Sequence, residues 1–388
     1  MERHGRFETL NVGGERHRAF LPKPLPPKPP IDLTSLQLPL DRANQAIGRL
    51  DGITALLPAK PLFLYMYVRK EALLSSQIEG TQSSLSDLLL YEADELPHVS
   101  LNDVRDVSNY VAAINHGLSR LADGFPLSLR LLREIHEILL RDGPGRDKDP
   151  GEFRRTQNWI GGSRPGTATY VPPQPHRLMD CLGAFEVFIH SSEPFIPTLV
   201  KAGLLQVQFE SIHPFLDGNG RLGRLLMTLF LVDQGILRDP LLYLSLFLKE
   251  NRARYYDLLQ AVREDGAWEP WIAFFLQGIA QTAEQAVEIA RGLLQMFDDD
   301  RTRIEGLGRA AASGLRVHQY MQSHAMVTIG SAAKALKMSL PTVGKSLEHL
   351  QALGIVHEAT GRHRGRLFGY TAYLDMLKDG TEPLGATA

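Results

Sequence analysis

A single cysteine stands among 388 residues, so no intrachain disulfide can staple this fold. Cys181 lies in the apolar run Leu178 to Ile189 and reads as a small buried hydrophobe in a reducing compartment. Neither sign of charge is in excess: 42 Lys and Arg against 44 Asp and Glu leave a formal net charge of −2. That balance excludes a bulk field able to recruit nucleic acid or an anionic bilayer. Long uncharged apolar runs are missing too, and the start, Met1-Glu-Arg-His-Gly-Arg-Phe-Glu, carries no hydrophobic leader. A cytoplasmic protein without a membrane span is therefore expected. The length supplies material for two or more domains with buried cores.

What the chain does have is one stretch of uneven composition, Ser211-Ile-His-Pro-Phe-Leu-Asp-Gly-Asn-Gly-Arg-Leu-Gly-Arg224. An apolar helical run ends at His213, because Pro214 cannot prolong it. Gly218, Asn219 and Gly220 are the residues that most easily take unusual backbone angles. Leu222, Leu225, Leu226 and Leu229 then recur at helical spacing, so the turn Asp217 to Gly220 sits at a helix N-terminus with unpaired N–H groups, a natural seat for phosphate. Arg221 and Arg224 share a face and add guanidinium forks. Asp217 would repel such a ligand unless a divalent cation lies between them. His213 is placed to accept a proton near neutral pH.

The twelve residues 213 to 224, His-Pro-Phe-Leu-Asp-Gly-Asn-Gly-Arg-Leu-Gly-Arg, resemble the Fic (Fido) signature in full. The resemblance implies a mainly α fold, a helical core with a small β flap, and transfer of AMP from ATP to a Ser, Thr or Tyr hydroxyl of a protein. It implies His213 as the base, Asp217 as the holder of Mg²⁺ or Mn²⁺, and Asp217, Gly218, Asn219, Gly220, Arg221, Leu222, Gly223 and Arg224 around the nucleotide. Dimers are common in that family, so a homodimer is among its implications. Members that transfer UMP, phosphocholine or phosphate keep a second enzymatic reading open.

Along the chain, residues 1–31 form an expected proline-rich arm: Pro22, Pro24, Pro26, Pro27, Pro29 and Pro30 favour an extended, polyproline-like course. The arm lies along its own protein or docks an SH3-like partner. An N-terminal helical region follows over 32–122. Its helix from Pro61 to Ile78 ends at Gly80 with Glu79 in the last turn, where the negative end of the macrodipole disfavours a carboxylate. Ser75-Ser-Gln-Ile-Glu79-Gly80 resembles the inhibitory-helix motif of Fic proteins, and the likeness implies that Glu79 occupies Arg224 and withholds it from ATP. Glu79 would also orient water for removal of AMP. Val104, Val107, Val111, Ile114, Leu118 and Leu121 mark a packed helix with no chemistry of its own, and His136 is structural.

The expected catalytic core spans 123–280. Within it, Trp159, Ile160, Gly161 and Gly162, then Thr169, Tyr170 and Val171, read as a hairpin. Such an edge is a plain surface hairpin or a template for a strand from another chain; the resemblance favours the second, a flap that aligns the target. Tyr255 and Tyr256, with Asn251, are implied contacts of the nucleobase. Arg263 stands where some relatives carry an asparagine, a departure that leaves base preference open.

Residues 281–309 read as a helical connector and 310–388 as a winged-helix domain, with a helix from Ser339 and a basic wing at Arg362, Arg364 and Arg366. Contact with DNA and a packing or protein-interaction role stay open. A nonenzymatic alternative follows: a DNA-binding regulator whose Fic site only senses nucleotide.

Overall fold

The apolar stripes of the sequence become helices, and the strands are few. The computed structural model describes all residues except 1–2, 13–14, 58–59, 93–98, 144, 193, 362–364, 379 and 383–388, and except the side chains of 12, 61, 62 and 377. Strands β1 (Gly5–Val12) and β2 (Glu15–Pro22) open the chain. Helices α1 (Leu33–Thr54), α2 (Lys60–Ile78), α3 (Leu85–Glu92), α4 (Leu101–Ala122) and α5 (Leu129–Leu139) follow. After the flap come α6 (Pro175–His190), α7 (Thr198–Ile212), α8 (Asn219–Asp233), α9 (Ser245–Glu250), α10 (Arg252–Asp265) and α11 (Trp268–Glu305). The chain then runs through α12 (Ala311–Met321), β3 (Met326–Thr328), α13 (Ile329–Leu336), α14 (Leu340–Ala352), β4 (Val356–Glu358), β5 (Leu367–Tyr370) and α15 (Thr371–Lys378). Among the described residues no helix is long and apolar enough to cross a membrane.

Two compact units result, one from residues 1–48 and 71–283, the other from 49–70 and 284–382. The observed partition departs from the sequence expectation of consecutive domains. Residues 49–70 join the second unit, and 281–309 are no separate connector, since α11 runs unbroken from Trp268 to Glu305.

In the first unit α7 is the central element. Every residue from Leu199 to Ile212 is buried, and α6, α8, α10 and β2 pack around it. Gly203 permits the approach of α11: a Cβ there would lie 2.7 Å from Ile272 Cδ1, and the Gly203 carbonyl accepts a 2.8 Å bond from Trp271 Nε1. α8 packs on α4, α5 and α7, with Leu222, Leu225, Leu226 and Leu229 fully buried.

The expected proline-rich arm is corrected. β1 and β2 form an antiparallel hairpin from Gly5↔Pro22 to Val12↔Glu15, because His17 and Ala19 alternate with exposed Arg16 and Arg18 at period two. The segment after Pro22 lacks regular structure and lies on its own protein: Arg3 donates to the Pro29 and Pro30 carbonyls at 3.1 Å, and Gln208 Nε2 to the Lys23 carbonyl at 2.9 Å.

The second unit holds a three-stranded antiparallel sheet in the order β3-β5-β4. Thr328 caps α13 through the Ser331 N–H, Lys337 closes that helix in a left-handed conformation, and Ser339 caps α14 through the Thr342 N–H. Tyr370 donates to Asp300 at 2.8 Å and meets His318 Nε2 at 2.8 Å, a buried polar chain. Arg362 and Arg364 of the anticipated wing lie outside the described residues, whereas Arg366 stands 3.8 Å from Glu348.

Candidate active site

α7 ends where its sequence requires. His213 is its C-cap in the left-handed region (φ 50°, ψ 62°), its N–H still bonded to the Phe209 carbonyl, and Pro214 turns the chain away. A non-glycine residue with positive φ needs support, which Arg154 supplies. Its guanidinium donates to the carbonyls of His213 (3.0 Å), Thr156 (3.3 Å) and Pro173 (2.5 Å), while its own N–H reaches the Pro214 carbonyl at 2.9 Å. Sequence reasoning passed over Arg154; the only available signal was its position beside the flap, since arginine forks suit clusters of carbonyls.

The loop then tightens on itself. Asn219 accepts from the Phe215 N–H and donates to the Phe215 carbonyl at 2.9 and 2.8 Å. Gly218 has φ 74°, its N–H bonds Asp217 Oδ1 at 2.6 Å, and α8 begins at Asn219, two residues before the start that leucine spacing indicated. His136 braces the turn from α5. Its Nδ1 accepts the Gly151 N–H at 2.9 Å, so the proton sits on Nε2, which donates to the Asp217 carbonyl at 3.0 Å. The ring stacks on Phe215 at 3.8 Å, and burial holds its pKa down to about 4.

A cavity of about 480 Å³ opens over this turn, lined by Glu79, Asp106, Trp159, Ile160, Gly161, Glu210, His213, Leu216 to Arg221, Arg224, Tyr255 and Tyr256, among others. His213 lines the cavity, and its buried Nδ1 meets no hydrogen-bond criterion among the described residues. Burial, then the Arg263 and Arg154 cations, lowers its pKa to about 3, so the imidazole is neutral. Burial likewise pushes the Glu210 carboxyl up to about 7, against the pull of Arg224, and its Oε1 has no hydrogen-bond partner among the described residues.

Two ion pairs divide the signature arginines. Arg221 Nη1 lies 3.1 Å from Asp106 Oδ2, both side chains nearly buried. Asp106, set in the valine stripe of α4, is thus a wall of the cavity, and the expectation that this helix carries no chemistry is corrected. Burial outweighs Arg221 in raising the Asp106 pKa. Arg224 donates from Nε to Ser75 Oγ (2.8 Å) and from Nη2 to the Ser75 carbonyl (2.9 Å) and to Glu79 Oε1 (2.7 Å). Burial alone would lower the Arg224 pKa; the Glu79 carboxylate, first among opposing charges, carries it above the ordinary value. Gly80, at φ 108°, turns the chain just after Glu79. Gly220 leaves Glu79 its place, since a Cβ there would overlap Glu79 Oε1.

Several anticipated contacts are elsewhere. Leu222 is core and Gly223 faces Glu210, 2.8 Å from Oε1 to an added Cβ, so neither lines the cavity. The Asn219 side chain is spent on Phe215, leaving its N–H for a ligand. Asn251 donates to the Phe247 carbonyl at 2.9 Å and is also outside the cavity wall. Tyr255 is buried against Trp271 with one side toward the cavity; Tyr256 is half-exposed beside it. Arg263 is turned inward, donating to the Glu210 carbonyl (3.1 Å) and lying 3.8 Å over the Tyr170 ring. In the flap, Ile160 pairs with Tyr170; Trp159, Ile160 and Gly161 face the cavity, while Gly162, Thr169, Tyr170 and Val171 do not. Tyr170 and Val171 are buried packing residues, Tyr170 Oη donating to the Ser211 carbonyl at 2.5 Å.

Among the described residues no three His, Cys, Asp or Glu side chains gather as a metal cage. One loop carboxylate at an open helix N-terminus nonetheless fits Mg²⁺, which takes most of its oxygens from phosphate and water. Asp217 would hold it.

Fold and site define a helical protein with a histidine beside an open helix N-terminus whose second arginine is held by a carboxylate. The Fic/DOC family N-terminal model matches residues 38–119 and the Fic/DOC family model residues 126–231. Over these two stretches the chain is similar to the Fic/DOC family. It is 34% identical over 164 residues to a protein named Protein adenylyltransferase Fic from Culex quinquefasciatus, covering 42% of this chain and 29% of that one. A protein of the same name from Drosophila grimshawi is 29% identical over 191 residues, 49% and 35% of the two chains. The chain thus spans about a third of the length of these curated relatives. A Fic family protein from Desulfovibrio desulfuricans G20 shares the fold at TM-score 0.58 and 18% identity, over 87% of this chain and 96% of that one. A Fic domain containing signaling protein from Bacteroides thetaiotaomicron does so at 0.52, over 65% and 97%.

Proposed function

We propose that this chain is a protein adenylyltransferase that moves AMP from ATP to a Ser, Thr or Tyr hydroxyl of a protein target, and that Glu79 restrains it. The observation carrying this reading is that the neutral His213 imidazole, the open end of α8 and the Glu79–Arg224 pair line one cavity. That the relatives are named adenylyltransferases supports AMP as the group moved.

The N–H groups at the start of α8 receive the α- and β-phosphates, with the helix dipole favouring their charge. Mg²⁺ or Mn²⁺ held by Asp217 supplies neutralisation of phosphate charge when bound. The target oxygen attacks the α-phosphorus, its proton passes to His213 Nε2, and the bond to pyrophosphate breaks. Phosphate anions beside His213 offset the arginine cations that depress its pKa, so the base strengthens as the substrate arrives. Arg224 can serve the terminal phosphate only when Glu79 leaves it, which makes inhibition a competition of carboxylate and phosphate for one fork. Glu79, open to the cavity, also suits the orientation of water for AMP removal.

Incubation with ATP labelled at the α-phosphorus tests this reading. Loss of one charge-assisted bond of about 1.5–3 kcal/mol predicts AMP incorporation about 10- to 100-fold higher in Glu79→Gly than in wild type, and none when His213→Ala is added. No gain in the first variant, or persistence in the second, overturns the assignments. The intact mass of the product separates AMP from UMP, phosphocholine or phosphate.

A further inference from the structure

The hairpin β1–β2 takes no part in the site described, yet it is built onto the flap. The Phe20 N–H donates to the Val171 carbonyl at 2.9 Å. The Phe20 ring, 2% exposed, lies 6.2 Å from Tyr170 and 5.1 Å from Phe7. At the flap tip Glu15 pairs with Arg164 at 3.1 Å, and a Cβ on Gly166 would overlap the Glu15 carboxylate, so the glycine admits that contact. Tyr170 in turn bonds the Ser211 carbonyl, two residues before His213.

From the cavity outward the order is therefore residues 159–161, residues 169–171, β2, then β1. Ile160 spends both backbone groups on Tyr170, which turns those of Trp159 and Gly161 the other way, and these make no backbone hydrogen bond among the described residues. They form a free edge on the same wall as His213. An edge of this kind pairs with an extended segment through its main chain, and its precision depends on how firmly its neighbours hold it.

We propose that β1–β2 is a positioning device for the protein target: by clamping residues 169–171 and the flap tip, it holds the 159–161 edge where an extended, hydroxyl-bearing segment can align beside His213. This rests on the transferase reading for its substrate, though not for the clamp. Phe20 is the principal positioning residue and Glu15 the secondary one, since a partly exposed ion pair contributes little by itself.

The test uses the full chain carrying Glu79→Gly, with the His213→Ala copy as acceptor. Adding Phe20→Ala should slow AMP transfer to the acceptor about 10-fold through a higher acceptor KM, as expected of about 1.4 kcal/mol of lost positioning. Affinity for a fluorescent ATP analogue should stay within about twofold, because Phe20 touches none of the phosphate-binding residues. Phe20→Leu should restore most of the rate. Amides of Ile160, Thr169 and Tyr170 should exchange faster with solvent in Phe20→Ala than in Phe20→Leu. Unchanged transfer and exchange, or a parallel loss of nucleotide affinity, overturns the clamp. If Glu79→Gly binds the analogue but moves no AMP, the transferase reading fails, while amide exchange still decides whether the hairpin holds the flap.

Discussion

Arg224 makes three hydrogen bonds that a terminal phosphate would have to share or replace, two to Ser75 and one to Glu79. Only the last is with a side chain open to the cavity, so the Ser75 bonds fix the fork while the Glu79 bond occupies it. The histidines set a separate balance. Folded His136 keeps its pKa near 4 where an unfolded histidine has 6.5. Between those values the unfolded chain takes up a proton that the folded one refuses, so stability falls as pH drops from 6.5 toward 4. Glu71 and Glu210, raised by burial to about 7 from 4.5, act oppositely. Their stabilising protonation is complete below 4.5 and is lost as pH rises through 7. A comparison with His136→Gln isolates the first effect: the stability advantage of wild type should narrow by about 1–2 kcal/mol between pH 7 and pH 5. Urea unfolding at both values measures it, and an advantage independent of pH would remove His136 as a titrating brace.

At the scale of elements, α7 shows why the signature could be read and its supports could not. Pro214 and the glycines 218 and 220 dictate a helix end, a tight turn and a new helix from local rules alone, and the structure has each of them. Leu222 and Gly223 fall inside the signature but outside the cavity, because helical periodicity turns them toward the core. Asp106 hid among valines, and Arg154 beside the flap, since both gain their roles from partners 115 and 59 positions away. The strands β1 and β2 were masked by the prolines that follow them. Position along α7 also carries a stability prediction. Gly203→Ala places a methyl 2.7 Å from Ile272 Cδ1 and 3.1 Å from Phe275 Cδ1. Overpacking of this kind costs about 1–3 kcal/mol, so the urea midpoint should fall. An unchanged midpoint would mean that α7 and α11 separate without penalty.

For the whole molecule, the division into units cuts through α2 itself: residues 60–70 of this helix belong to the second unit, and Ser75 and Glu79 follow in the first. The Glu79 carboxylate thus follows a helix whose earlier half belongs to the other unit. Buried Leu50, Leu57, Phe63, Met66, Tyr67 and Val68 all fall in the 49–70 segment, and the rest of their unit is 284–382. A chain ending at Ala283 leaves those side chains without that remainder, and each exposed residue of this size forfeits about 1.5–3 kcal/mol. Fraying would then begin in the early turns of α2, and helix ends lose order a few residues beyond the break. The Ser75 and Glu79 bonds to Arg224 should weaken while the signature turn, built wholly within the first unit, keeps its braces at His136 and Arg154. The expected outcome is a truncated chain with lower thermal stability but more AMP transfer per molecule than full-length wild type, and no further gain when Glu79→Gly is added. Transfer that stays at the wild-type level, and still rises with Glu79→Gly, would show that α2 holds its inhibitory end without the second unit.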